Sequence, residues 1–222
     1  MKKDSYNRPL IFLTDEIAFP KVELADEEGL LAVGGDLSTE RLILAYKSGI
    51  FPWFNEGSMI LWWSPNPRMV LFPKRIKISK SMRKVIRNDE FKLTKNHCFE
   101  AVIDQCAKVK RQGQDGTWIS KEMKEAYLDL HMLGYAHSYE VWQNEELVGG
   151  LYGIDLGHIF CGESMFSFVS NASKFAFIQL ARELQEKNYT LIDCQLYTSH
   201  LESLGAEEIP RKKFMGFLKG TQ

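Results

Sequence analysis

The sequence predicts an α+β protein in two parts, a small N-terminal α/β domain over residues 1–66 and a larger domain over 67–222 built on an antiparallel meander flanked by helices. Three observations predict it. Period-two alternation runs through HSYEVW, ELVGGLYGI and HIFCGESMF, with turns at QNE and DLG, which gives three antiparallel strands. Helical periodicity brackets that meander, two helices before it and a long one after it. Ahead of both lies an aromatic-rich run, FPWFNEGSMILWWSPNP, closed by Pro65 and Pro67, a rigid connector that sets the boundary near residue 66.

Taken in order, residues 9–20 (PLIFLTDEIAFP) give a short strand and turn, followed by an acidic stretch holding Glu23, Asp26, Glu27 and Glu28. In GLLAVGGDLS, Gly34 and Gly35 make a turn, and Asp36 or Ser38 caps a helix from about Thr39 to Ser48. Leu42, Ile43, Leu44 and Ala45 form its apolar side and Gly49 ends it. The strand MVLFP (69–73) leads into Lys74, Arg75, Lys77, Lys80, Arg83, Lys84 and Arg87 without an acid between them. A helix capped by Ser79 carries Lys80, Arg83, Lys84 and Arg87 on one face. A solvated helix face and a nucleic-acid contact both fit that stripe, and charge pattern alone favours the former. Helices over Phe99 to Val109 and Lys121 to Leu133 come next, the second capped by Ser120 and ended by Gly134. After the meander, a helix from about Ala172 to Lys187 aligns Ala172, Ala176, Leu180 and Leu184. TLIDCQ reads as a buried strand ending in polar residues, and a last helix spans Arg211 to Leu218.

Composition excludes several classes. Hydrophobic residues make up 45% of the chain, enough for a core without staples, so disorder is not its main state. With 28 basic and 29 acidic residues, a polyanion could bind only where basic charge is concentrated. Cys98, Cys106, Cys161 and Cys194 form no CxxC and the five histidines no HxxxH, which removes the usual zinc spacings and points to reduced thiols in a cytoplasm. The apolar run in MKKDSYNRPLIFL is too short for a signal peptide, and no stretch reaches the ~20 apolar residues of a membrane span.

Polar residues at the ends of apolar strands mark where chemistry can sit, because strand ends are rigid platforms. Glu163 follows IFCG; Asp193 and Gln195 follow LI and, at i and i+2, share a face that Cys194 does not. An acid beside an amide can hold an ammonium and can donate or accept a hydrogen bond. The plain alternatives are a Glu163 satisfied by backbone N–H groups and an Asp193 that caps a loop. A nucleophilic Cys161 or Cys194 with His158 or His200 as base is conceivable, but burial in strands favours core roles for both thiols. His137 reads as structural. Trp53, Trp118 and Tyr127 are flanked by capping and turn residues and could stack on bases at ~1–3 kcal/mol each, whereas Trp62 and Trp63 read as core. Beside the basic stripe, such rings raise the nucleic-acid reading above the solvated face.

Read together, GLLAVGGDLS, GIFPWF, ILWWSPNPR, GTWIS, EAYLDLH, HSYEVW, ELVGGLYG, FCGESMFS, NASK, LIDCQ and LGAEEIPR resemble the leucyl/phenylalanyl-tRNA–protein transferases of bacteria over nearly all of residues 29–211. The resemblance implies a larger domain like the Gcn5-type N-acetyltransferases, with a mixed, mostly antiparallel sheet. It implies transfer of Leu, Phe or, less efficiently, Met from aminoacyl-tRNA to an N-terminal Arg or Lys of an acceptor protein, marking that protein for proteolysis. The charged tRNA carries an activated ester, so no cofactor, ATP or metal is expected, and neither membrane nor DNA is a partner. By the same resemblance Asp193, Gln195 and Glu163 lie at the reacting centre. Leu151, Phe160, Met165, Phe177 and Leu180 line an apolar aminoacyl pocket. Trp53, Trp118 and Tyr127 surround the 3′-terminal adenosine, and Lys80, Arg83, Lys84 and Arg87 follow the acceptor stem. An acetyl-CoA-dependent acetyltransferase is the main competitor, but SFVSNASK lacks the glycine-rich turn whose N–H groups cradle a pyrophosphate. A non-catalytic RNA-binding module would leave Glu163, Asp193 and Gln195 without a task.

Overall fold

A computed structural model describes residues 9–109 and 119–220. Near the N-terminus, β1 (Phe12–Leu13), β2 (Leu30–Gly34), β3 (Phe51–Pro52) and β4 (Leu61–Trp63) form a sheet in the order β1-β2-β4-β3, parallel only between β1 and β2. Gly34 and Gly35 turn the chain with φ of +83° and +74° into α1 (Thr39–Lys47). Neither expected cap closes α1 by a side-chain bond to its first turn. Ser38 holds the N-cap position, and its own N–H is taken by Asp36 Oδ1 at 2.8 Å. The buried Arg41 instead ties the helix to the preceding segment, donating to the carbonyls of Thr14 (2.9 Å) and Glu16 (3.2 Å) and to Asp36.

The rest of the chain forms β5 (Arg68–Leu71), α2 (Lys80–Arg87), β6 (Lys92–Lys95), α3 (Phe99–Lys108), α4 (Lys121–Met132), β7 (Ala136–Gln143), β8 (Glu146–Asp155) and β9 (Ile159–Ser167). These are followed by α5 (Ala172–Glu186), β10 (Leu191–Gln195), α6 (Ser199–Ser203), β11 (Glu207–Ile209) and α7 (Arg211–Leu218). The seven strands run β11-β5-β10-β9-β8-β7-β6. Only β9 and β10 are parallel, because α5 carries the chain across between them. The fold is thus the expected α+β arrangement, a mixed, mostly antiparallel sheet flanked by helices with a smaller N-terminal unit beside it.

Alternation divides the sheet's side chains between two cores. On one face Leu151, Phe160 and Ile192 pack with the apolar stripe of α5; on the other Tyr152, Cys161 and Leu191 pack with α3 and α4. The second core continues through Leu42, Tyr46 and Trp62, so the N-terminal unit and the larger sheet share it. Glycine lets α5 lie close: a Cβ on Gly149 would stand 2.6 Å from that of Ala172. In the larger domain three elements had no sequence signal strong enough to predict them. β6 (KLTK) carries lysines at both ends, a charged edge strand rather than an alternating one; β11 and α6 are short and polar. Among the described residues no helix is long and apolar enough to cross a membrane.

Candidate active site

Two single-residue insertions on neighbouring strands build the site. In β9 the pairing with β8 steps from Gly153↔Gly162 to Tyr152↔Ser164, so Glu163 is an extra residue. In β10 the pairing with β5 steps from Asp193↔Val70 to Gln195↔Met69, so Cys194 is extra, and Gln195 takes φ +63°. Such bulges bend a strand and re-aim its side chains. The parallel pairing of β9 with β10 goes no further than Cys161↔Asp193. Beyond it Gln195 Nε2 donates to Glu163 Oε1 at 2.8 Å, bridging the two strands through side chains.

Glu163 is held from its other side by tyrosines. Tyr127 donates to Glu163 Oε2 at 2.8 Å, and the hydroxyls of Tyr127 and Tyr46 share a short hydrogen bond. With the single Tyr127 proton directed to Glu163, Tyr46 is the donor of that second bond. Burial raises the Glu163 carboxyl to about 7, against the lowering effect of the bonds from Tyr127, Tyr46 and Gln195. Burial also pushes both tyrosine hydroxyls well above their ordinary value, so they remain donors at neutral pH.

Asp193 has a different partner from the one its spacing suggested. It is 1% exposed, and Arg68 grips it from β5 through Nε (2.8 Å to Oδ1) and Nη2 (2.7 Å to Oδ2). The Arg68 guanidinium lies between the rings of Phe51 and Phe214, 4.8 and 4.7 Å from their centroids, and donates to the Gly49 carbonyl at 3.3 Å. Asp193 Oδ1 also accepts the backbone N–H of Gln195 at 3.0 Å. The simple i, i+2 reading therefore fails at the bulge: Asp193 turns to Arg68 and anchors the backbone, and Gln195 alone reaches Glu163. Arg68 carries no sequence signal of its own beyond one arginine opening the apolar strand RMVL, which needs a buried acid; Asp193 on the neighbouring β10 supplies it.

Glu163 and Gln195 line a cavity of about 610 Å³ that draws walls from both sheet faces. Of the expected aminoacyl residues, Leu151, Met165, Phe177 and Leu180 line it. Phe160 does not; it is buried in the α5-facing core with its ring edge-on to Tyr139. Trp53 lines the opposite side beside Phe51. Tyr127 corrects another expectation: it is 0% exposed, edge-on to Tyr152, and offers no face to a base. Trp118 lies outside the described residues. Lys80, Arg83, Lys84 and Arg87 are all exposed on α2, whose Met82 and Val85 point inward and whose N-cap Ser79 accepts the Met82 N–H at 3.2 Å.

The thiols bear on the nucleophile alternative. Cys161 is buried as expected, but Cys194, as the bulged residue, lines the cavity beside Gln195. Burial raises both thiols above their ordinary value, which leaves them protonated and weakly nucleophilic. His158 is bound to the carbonyls of Leu156 and Leu218, and His137 to Asn96. His200 does line the cavity; burial, then Lys174, lowers its pKa and keeps it neutral.

Residues 70–219 match the profile of the Leucyl/phenylalanyl-tRNA protein transferase family, and residues 35–66 that of the Leucyl/phenylalanyl-tRNA protein transferase N-terminal domain. The leucyl/phenylalanyl-tRNA–protein transferase of Flavobacterium johnsoniae is 64% identical over 210 residues, covering 95% of this chain and 99% of that one. The protein of the same name from Syntrophus aciditrophicus is 56% identical over 211 residues, covering 95% and 88%. Among solved structures, a GCN5-related N-acetyltransferase from Kribbella flavida aligns with a TM-score of 0.32 at 11% identity, covering 75% of this chain and 59% of that one.

Proposed function

The chain belongs to the Leucyl/phenylalanyl-tRNA protein transferase family and is an aminoacyltransferase, and from that premise we propose that the cavity between β9 and β10 seats the aminoacyl end of a charged tRNA. Leu, Phe and, less efficiently, Met pass from it to the α-amino group of an N-terminal Arg or Lys, in the cytoplasm, creating a degradation signal. The observation that carries this reading is the Gln195–Glu163 hydrogen bond lining a mostly apolar cavity. An apolar slot beside one hydrogen-bonded acid–amide pair suits an apolar aminoacyl group whose ester must meet an amine.

The chemistry asks for positioning more than for activation, because the ester is already reactive. The neutral α-amine attacks the ester carbonyl, the N–C bond forms and the ester C–O bond breaks. One proton moves from the amine to Glu163 and then to the departing ribose oxygen, so atoms and charge balance without a further reactant. With Nε2 committed to Glu163, the Gln195 carbonyl oxygen is free to accept from the incoming amine. A carboxyl near 7 suits the base role at physiological pH, being ionised in a useful fraction yet still basic. Asp193, gripped by Arg68, acts by holding the Gln195 backbone and is a positioning residue.

Leu151, Met165, Phe177 and Leu180 select the side chain by shape, and the half-buried Trp53 is placed to stack on the terminal adenosine. Trp118 keeps that role from the resemblance alone, and Tyr127 gives it up. The exposed face of α2 suits the acceptor stem, where phosphate contacts carry little sequence information. The division near residue 66 is supported by the placement of the four-stranded sheet before it and the seven-stranded sheet after it.

The test is transfer of labelled Leu from charged tRNA to a peptide beginning with Arg, beside the same peptide with acetyl-CoA. Label arriving from tRNA alone is expected. Acetyl transfer without tRNA-dependent label would overturn the reading.

A further inference from the structure

Glu163 is a partly buried carboxyl that makes no ion pair among the described residues. The nearest guanidinium, Arg68, has both arms of its fork on Asp193. The groups facing Glu163 are Tyr127 from α4, Tyr46 from α1, Gln195 and Asp193 from β10, Arg68 from β5, Tyr152 from β8 and Cys161 on its own strand. Asp193 opposes ionisation of Glu163; the hydroxyl donors favour it. Two tyrosines in line, Tyr46 to Tyr127 to Glu163, polarise one another, which strengthens the bond that reaches the carboxylate. Packing alone does not call for them, since phenylalanine rings would fill the same apolar space. A neutral donor stabilises the charged carboxylate less strongly than a cation would, so it lowers the basicity of Glu163 less.

We propose that Tyr127, oriented by Tyr46, is a positioning residue of the transfer reaction that aims Glu163 at Gln195 and holds it in its ionised form. This rests on the reading of Glu163 as the proton acceptor. Tyr127→Phe keeps the ring and removes the donor, so Glu163 ionises at higher pH and the loss of rate is greatest in acid.

The measurement is kcat for transfer at saturating aminoacyl-tRNA from pH 6 to 8.5, expressed as the ratio of variant to wild type. The ratio cancels ionisation of the acceptor amine, which all forms share. For Tyr127→Phe it is expected to be about one-fifth at pH 7 and to recover to about three-quarters by pH 8.5, as for a base raised by about one pH unit. Tyr46→Phe, which leaves the Tyr127–Glu163 bond in place, shows a smaller change of the same sense and serves as the second arm should Tyr127→Phe fail to fold. A ratio independent of pH in the folded variant overturns the inference, because loss of packing has no reason to fade as pH rises. Glu163→Gln separates the two levels. If it matches wild type at every pH, the base reading falls and this inference with it. If it is slow while the Tyr127→Phe ratio stays flat, only the inference falls.

Discussion

Removing the Asp193 carboxylate by Asp193→Asn leaves Arg68 charged and buried between two aromatic rings without its counter-ion. Both partners are 1% exposed and joined by two short bonds, so the penalty is that of breaking a buried pair, about 3–5 kcal/mol. For a chain of this size that corresponds to a fall in melting temperature of about 6–20 °C. Asn still offers an oxygen to the Gln195 N–H, so the variant, where folded, keeps most of its turnover and its affinity for aminoacyl-tRNA. A second form tells stability from positioning. Arg68→Met with Asp193→Leu replaces the pair by apolar groups and should return to within about 2 kcal/mol of wild type, yet it has no acceptor for the Gln195 N–H and loses turnover. The assays are thermal and urea unfolding, single-turnover transfer, and tRNA binding. A melting temperature for Asp193→Asn within about 2 °C of wild type would refute the buried-pair reasoning. Full turnover in the double variant would refute the positioning role.

Three further outcomes are expected. Glu163 has a folded-state pKa of about 7, above its ordinary 4.5, so its native form binds the proton more tightly and wild-type stability falls as pH rises between those values. Glu163→Gln escapes this, so urea unfolding should show its advantage growing from pH 4.5 to 7, by up to about 3 kcal/mol, and levelling above; an advantage that shrinks with pH contradicts the shift. Lys80→Glu with Lys84→Glu, both exposed, should leave folding intact, raise KM for aminoacyl-tRNA and flatten its salt dependence. Kinetics that match wild type across a salt series would remove α2 from the tRNA surface. Leu180→Phe narrows the cavity wall and should lower kcat/KM for Phe relative to Leu by about tenfold, a clash of about 1–3 kcal/mol; an unchanged ratio would place the side-chain slot elsewhere.

Much of this architecture is readable in the sequence because it depends on periodicity. The meander, the stripe of α5 and the charged face of α2 each repeat a local pattern that hydrophobic burial then enforces. The polar strand ends at Glu163, Asp193 and Gln195 are readable for the same reason, as interruptions of an apolar run. What spacing cannot give is the partner of each. Arg68 meets Asp193 across 125 positions and Tyr127 meets Glu163 across 36, pairings fixed only when β5, α4 and the sheet close together. Turn residues flanking Tyr127 suggest exposure, whereas its burial is decided by α1 and β8 packing over it. Phe160, expected in the pocket from the resemblance, shares the α5-facing side of the sheet with Leu151 but lies beneath the cavity rather than in its wall.

The extra residue at Glu163 also reverses the parity of its strand. Ahead of it, odd-numbered Ile159 and Cys161 face α3 and α4 and even-numbered Phe160 faces α5; after it, Met165 faces α5 and Phe166 the opposite core. Reading frame and side-chain direction are therefore coupled through one position, much as a single-letter shift changes every later word. Deleting Glu163 would not merely remove an acid. It would exchange the destinations of Met165 and Phe166, taking the thioether out of the cavity wall and driving a ring into it, so the residue that supplies the chemistry also sets which side chains surround it.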